Sequence, residues 1–170
     1  LWTDIPNTSS ISIISPSGED TSRIPFHAGS SAELDFLFER TKVSVDYRIL
    51  VEKTTSELVF FRFNSPAAGI WKIVIEPITV TDGQFHIGFL HGEVYFLESD
   101  PYYTLTNPAN TQSPVVVSYY NGTTNAVSQT SGRGYTRSGQ IKPDLTAPGI
   151  NIRGPVSNGR FETHSGSCAA

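Results

Sequence analysis

The chain has 170 residues, of which 38% are hydrophobic and 16% charged, with ten Phe, seven Tyr and two Trp, so it can bury a core and is not a disordered segment. A formal net charge of −4 with no Lys/Arg cluster argues against a nucleic-acid or anionic-membrane partner. One cysteine excludes an internal disulfide, no apolar run is long enough to span a membrane, and no signal-peptide pattern opens the chain. With no Met and an opening Leu1-Trp2, the chain reads as an internal piece of a longer protein.

From Ile11 to about Phe96 the hydrophobic pattern has period two. Lys42-Val43-Ser44-Val45-Asp46-Tyr47-Arg48-Ile49 alternates with its apolar residues on odd positions, which predicts a strand with one buried face. Glu33 to Glu39 alternates in nearly the same way. Leu58 to Phe63 is an almost continuous apolar run, predicting a strand buried on both faces. Trp71 to Ile75, Phe85 to Phe89 and Val94 to Phe96 complete the set. Turn signals separate them at Ser15-Pro16-Ser17-Gly18, Ala28-Gly29-Ser30, Ser65 to Gly69 and Asp82-Gly83. Short strands at close spacing with no helical stretch predict a mainly β fold, an antiparallel β-sandwich that is jelly-roll-like, over residues 1–100.

The pattern changes near Ser99. Asn107 to Pro114 is polar and turn-rich and reads as a long connection. Pro114 to Tyr120 gives a buried-strand run that ends at an Asn121-Gly122 turn. Strand fragments follow around Val127 and at Ile150-Asn151-Ile152. Residues 101–170 carry too little apolar surface to fold without a partner surface.

Two motifs in this last part carry chemistry. The closing His164-Ser165-Gly166-Ser167-Cys168-Ala169-Ala170 is a Gly-hydroxyl-nucleophile-x-Ala turn, of the kind that sets a reactive side chain at a helix start. Unpaired amides there point at developing negative charge, and the dipole favours an anion. Two registers are open, with the nucleophile at Ser167 or at Cys168; the second places Gly166 at minus two and Ala170 at plus two. Upstream, Ile141-Lys142-Pro143-Asp144-Leu145-Thr146-Ala147-Pro148-Gly149 has two prolines and a glycine in set order, predicting a rigid loop. Either motif alone is no more than a turn; together they are specific.

The pair resembles the subtilisin-like serine proteases (subtilases), whose pattern is K-P-D-x-x-A-P-G followed by G-T-S-x-A. This resemblance covers residues 105 to 170. It implies part of an α/β subtilase domain over residues 101–170, with Cys168 at the nucleophile position and Ser167 as the adjacent turn residue and fallback nucleophile. Gly166, Asp144, Pro148 and Gly149 form the supporting loop, and the amide of residue 168 donates to the oxyanion. Arg23-Ile24-Pro25, Phe38 to Thr41, Val45-Asp46-Tyr47, Gly69 to Ile73 and Ser131 to Arg137 resemble the clostridial spore-germination protease group, in which a β-sandwich is inserted into the protease domain. That membership implies a bacterial protein, secreted or spore-associated, that cleaves proteins or is a proteolytically dead relative acting by binding. Its partners would be the remainder of the protease domain and a protein substrate.

The family needs a base, a carboxylate to hold it, and an oxyanion Asn, all earlier in sequence than the nucleophile. His91-Gly92 resembles the family's His-Gly-Thr, but Glu93 follows and the pair lies in the expected insert. His164 stands too near the nucleophile to be the base and reads as an exposed loop residue. The chain by itself is therefore expected to be inactive. A thiol at a site shaped for a hydroxyl positions the tetrahedral intermediate poorly, so reduced or absent peptidase activity is expected of the parent, whether as a degenerate, a silenced or a thiol protease. No cofactor is implied, and no Cys/His or Asp/Asn cluster suggests a metal. Asn7-Thr8-Ser9 and Asn121-Gly122-Thr123 match glycosylation acceptors.

Overall fold

The structure is a computed structural model that describes residues 1–25, 29–49, 55–90 and 94–170. The chain divides into two compact units, Leu1–Glu93 and Val94–Ala170.

The first unit is an antiparallel β-sandwich, as the strand pattern predicts. Its strands are β1 (Trp2–Asp4), β2 (Thr8–Ile14), β3 (Ser31–Phe36), β4 (Thr41–Ile49), β5 (Ser56–Asn64), β6 (Lys72–Thr79) and β7 (Phe85–His86). One sheet has the order β3-β4-β5-β1-β7; β2 and β6 pair as a second. The alternation of β4 becomes the core directly: Val43, Val45 and Tyr47 are buried while Lys42, Ser44, Asp46 and Arg48 face the other way. Ile11 and Ile13 of β2 close over them, with Ile73 and Ile75 of β6 in register beside those two isoleucines. Trp71 caps the cluster, its indole edge-on to Phe36 at 4.9 Å and its Nε1 donating to the Ala67 carbonyl at 3.0 Å.

Three expectations give way here. Leu58 to Phe63 is not buried on both faces: Val59 is enclosed and Phe61 and Phe63 pack on the core, whereas Phe60 lies opposite, under the Arg62 guanidinium at 5.5 Å. The cause is topological, since the second sheet covers only one face of β5. The Glu33 to Glu39 alternation stops at Phe36, and Leu37 and Phe38 sit in the hairpin turn at 78% and 81% exposure. That turn is pinned by the Glu19 carboxylate, which accepts from the Leu37 amide at 3.0 Å. Of the predicted Phe85 to Phe89 and Val94 to Phe96 strands, only Phe85–His86 forms.

The Asn7 glycosylation reading also fails. Asn7 is buried, its Nδ2 donating to Asp82 at 2.7 Å and its Oδ1 accepting from the Thr81 amide at 2.7 Å. A side-chain amide engaged on both atoms is a structural clamp. His91 and Glu93 lie outside the described residues.

The second unit contains β8 (Val117–Asn121), β9 (Ala126–Val127), β10 (Leu145–Pro148), β11 (Ile152–Val156) and β12 (Arg160–His164). β8 sits between β10, which runs parallel to it, and β9, which runs antiparallel; β11 and β12 form a hairpin. Asn121 shapes the β8–β9 turn, its Oδ1 accepting from the Thr123 amide at 2.9 Å. The rigid loop expected at Ile141 to Gly149 is half strand, because Leu145–Pro148 pairs in register with Val117 to Tyr120. The fragment expected at Ile150-Asn151-Ile152 begins only at Ile152.

Candidate active site

The proline motif is built around a buried lysine. Lys142 Nζ donates to the Pro114 carbonyl at 2.8 Å and to Asp144 Oδ2 at 2.6 Å. The same Oδ2 accepts from the Val116 amide at 2.7 Å, and the Asp144 amide returns a bond to the Val116 carbonyl at 2.9 Å. Lys142 and Asp144 thus fix where β8 begins, which in turn fixes the parallel register of β10. The Lys142 hydrogen bond, then the Val116 amide, hold the Asp144 carboxyl below its ordinary value of 3.8.

β10 ends at Pro148 and delivers Gly149 onto the side chain of Tyr119. A Cβ on Gly149 would stand 2.7 Å from Tyr119 Cβ and 3.0 Å from the Gly166 carbonyl, so only glycine fits this crossing. Gly149 then accepts from the Gly166 amide at 2.8 Å, and the Asn151 amide donates to Ser165 Oγ at 2.9 Å. Between these contacts the chain runs out along β11 and back along β12. The two sequence motifs therefore meet at their glycines.

At Gly166 the backbone takes φ 145° and ψ 172°, a conformation L residues avoid, and this turns the chain into a single 3₁₀ turn, Ser167–Ala169. The Ala169 amide closes that turn on the Gly166 carbonyl at 3.1 Å. Cys168 is exposed within it.

Cys168, Ser167, Gly166, Pro148 and Gly149 are brought together, and Asp144 acts one strand-length away through β8 and β10. His164 is exposed at the end of β12, paired with Ile152 across the hairpin, and is a strand residue, not the loop residue expected. Among the described residues the structure shows no bond from its imidazole to Cys168. Two contributors escaped sequence reading. Lys142 carried a signal, its place in the K-P-D triplet. Tyr119 carried none, because a run of apolar residues does not say which face will bear the glycine crossing. Among the described residues no group of three His, Cys, Asp or Glu side chains could hold a metal ion.

Comparison with known proteins agrees with this geometry. A family model described as the Subtilase family (peptidase S8) matches residues 97–170. The solved structure of the Clostridium perfringens CspB protease is similar over 98% of this chain, with a TM-score of 0.81 and 26% identity; this chain spans 36% of that one. No curated protein sequence matches the chain. The family match runs over both motifs joined at Gly149 and Gly166, and the fold likeness runs over 98% of the chain: residues 97–170 are similar to subtilases, and the chain shares the fold of a subtilisin-like protease.

Proposed function

We propose that the protein carrying this chain is an endopeptidase of the clostridial spore-germination type that attacks a protein substrate through an acyl-enzyme, with Cys168 at the nucleophile position. The observation that carries this reading is the Gly149–Gly166 contact, which holds an exposed nucleophile candidate next to a glycine-only turn at the edge of a parallel strand pair. A nucleophile used on a macromolecular substrate has to be accessible and held on a stiff support. The general base, its carboxylate partner and the oxyanion side chain come from the remainder of the protease domain, which is also this chain's first partner. Ser167, adjacent in the same turn, is the fallback nucleophile.

The exchange of sulfur for oxygen favours a second outcome, loss of peptidase activity with the fold retained for binding. Longer bonds to sulfur displace the tetrahedral intermediate from donors set for a serine adduct. An active-site acylating probe and a casein substrate separate the cases, applied to the complete parent protein as Cys168 and as Cys168→Ser. Labelling and cleavage in the native form establish a thiol protease. Recovery only with Cys168→Ser establishes a silenced serine protease. Absence of both in each form overturns the peptidase reading in favour of a binding role.

A further inference from the structure

Among the described residues, the apolar core of the sandwich encloses one acidic side chain. Glu57, on β5, is 1% exposed. Its Oε2 accepts a long bond of 3.4 Å from Thr3 Oγ1, and its Oε1 has no partner among the described residues. Buried carboxylates are ordinarily paired or fully hydrogen-bonded, because the charged form otherwise loses its hydration without replacement. Among the described residues, the side chains around Glu57 offer no cation to it. Thr3 of β1 and Ile49 of β4 stand directly opposite, and Phe85 of β7 lies beyond Thr3 on the same face. Trp2, Asp4, Asp46, Arg48, Arg62 and His86 alternate onto the other face of the sheet. From the second sheet come Ile11, Ile13, Ile73 and Ile75.

Among the described residues, one other titratable side chain shares the face. Tyr47 lies diagonally across on β4; its hydroxyl is pushed up to about 12, first by burial and then by Glu57, and so stays neutral. The Leu1 nitrogen donates to the Val59 carbonyl at 2.9 Å.

The position of Glu57 gives its ionisation a local consequence. β1 is three residues long and, among the described residues, is the only strand joining β7 to the rest of the sheet. We propose that Glu57 is a protonation latch for this edge: neutral, it seats β1 against β5, and ionised, it loosens β1 and with it β7. Burial raises the carboxyl from 4.5 to about 6, with the Thr3 hydrogen bond opposing. The native state therefore binds the proton more tightly than the unfolded chain does. The stabilisation is complete below 4.5 and is lost as pH rises through about 6. Comparison with Glu57→Gln isolates this carboxyl from the other groups that titrate over the same range.

The test is amide-exchange protection, corrected for intrinsic exchange, in the full chain and its Glu57→Gln variant. The Ile5 amide, bonded to the Thr55 carbonyl at 2.9 Å, and the Val59 amide, bonded to the Leu1 carbonyl at 2.8 Å, report β1 seating. The Ile11 amide, bonded to the Ile24 carbonyl at 3.3 Å, reports the second sheet. At Ile5 and Val59 the ratio of variant to native protection should grow about thirtyfold between pH 4 and 7.5, one decade per unit of displacement. At Ile11 it should stay constant. A flat ratio at Ile5 and Val59, or an equal rise at Ile11, overturns the latch. Thr3→Val supplies a second readout should Glu57→Gln not fold. Losing the one hydrogen bond to the charged form moves the transition to higher pH, and an unmoved midpoint overturns the proposal.

Discussion

Among the described residues between Leu1 and Glu93, isoleucines, valines and aromatic rings gather into one buried apolar cluster with buried polar groups around it; between Val94 and Ala170 no such cluster forms, and most of the few buried side chains are polar. The buried apolar residues of the second unit, among those described, are Val116 and Tyr119, and beside them lie buried Ser131, Thr136 and Lys142. Apolar burial is strong but non-directional, so it sets that a sheet is covered without setting any one angle. Hydrogen bonds and close glycine contacts contribute less each, yet they fix distances and directions. The sandwich is accordingly a stability element. The second unit is a positioning element, whose bonds fix Gly166 and the exposed thiol two residues beyond it.

Removing apolar volume from the sandwich should have the largest effect. Ile13→Ala empties a fully buried site between the two sheets and should lower unfolding stability by about 3 to 4 kcal/mol, read by denaturant titration. A loss below about 1 kcal/mol would mean the core collapses around the gap, and the contrast with the second unit would weaken.

Crowding the glycine crossing comes next. Gly149→Ala forces a Cβ against Tyr119 Cβ and the Gly166 carbonyl, an overpacking that costs about 1 to 3 kcal/mol. The decisive readout is local: alkylation of Cys168 should change in rate even under conditions where the chain remains folded. Unchanged alkylation would show that the thiol turn does not depend on the crossing.

This contrast also explains how far the sequence could be read. The period-two pattern of β4 reports one covered face, and the sandwich follows from a few such strands. Leu58 to Phe63 misled because a continuous apolar run does not reveal how many faces the topology will cover. Leu37 and Phe38 misled because a hairpin turn can hold apolar residues in water once a carboxylate such as Glu19 takes its amides. The motif glycines were legible as motif members. Their contact was not, since it depends on Tyr119 presenting the correct face of β8. Nor was β10, because proline-bearing segments read as loops, yet Pro148 sits at the last position of a strand, where a missing amide is tolerated.

The lysine bridge should show a smaller effect, with a pH signature. Lys142→Met removes the donor to the Pro114 carbonyl, costing about 1 to 2 kcal/mol at neutral pH. Asp144 is the depressed partner, so its contribution is present above 3.8 and is lost as pH falls from there through its lower native value. The difference between native and variant stability should therefore shrink on acidification below pH 4. A difference that persists there would assign the effect to packing of the lysine stem.

The smallest effect belongs to Cys168, the residue proposed to carry the chemistry. Cys168 is exposed on a three-residue turn that is held by Gly149, Gly166 and the Asn151–Ser165 bond, none of which involves its side chain. Exchanging its sulfur for oxygen leaves those contacts intact, so Cys168→Ser should shift thermal stability by less than about 0.5 kcal/mol. A large change in acylation with so small a change in stability would mark the turn as a platform on which the nucleophile can be exchanged without disturbing the scaffold. A stability change of 2 kcal/mol or more would instead mean that the thiol is part of the packing, and the division between a stability unit and a positioning unit would have to be redrawn at its most exposed residue.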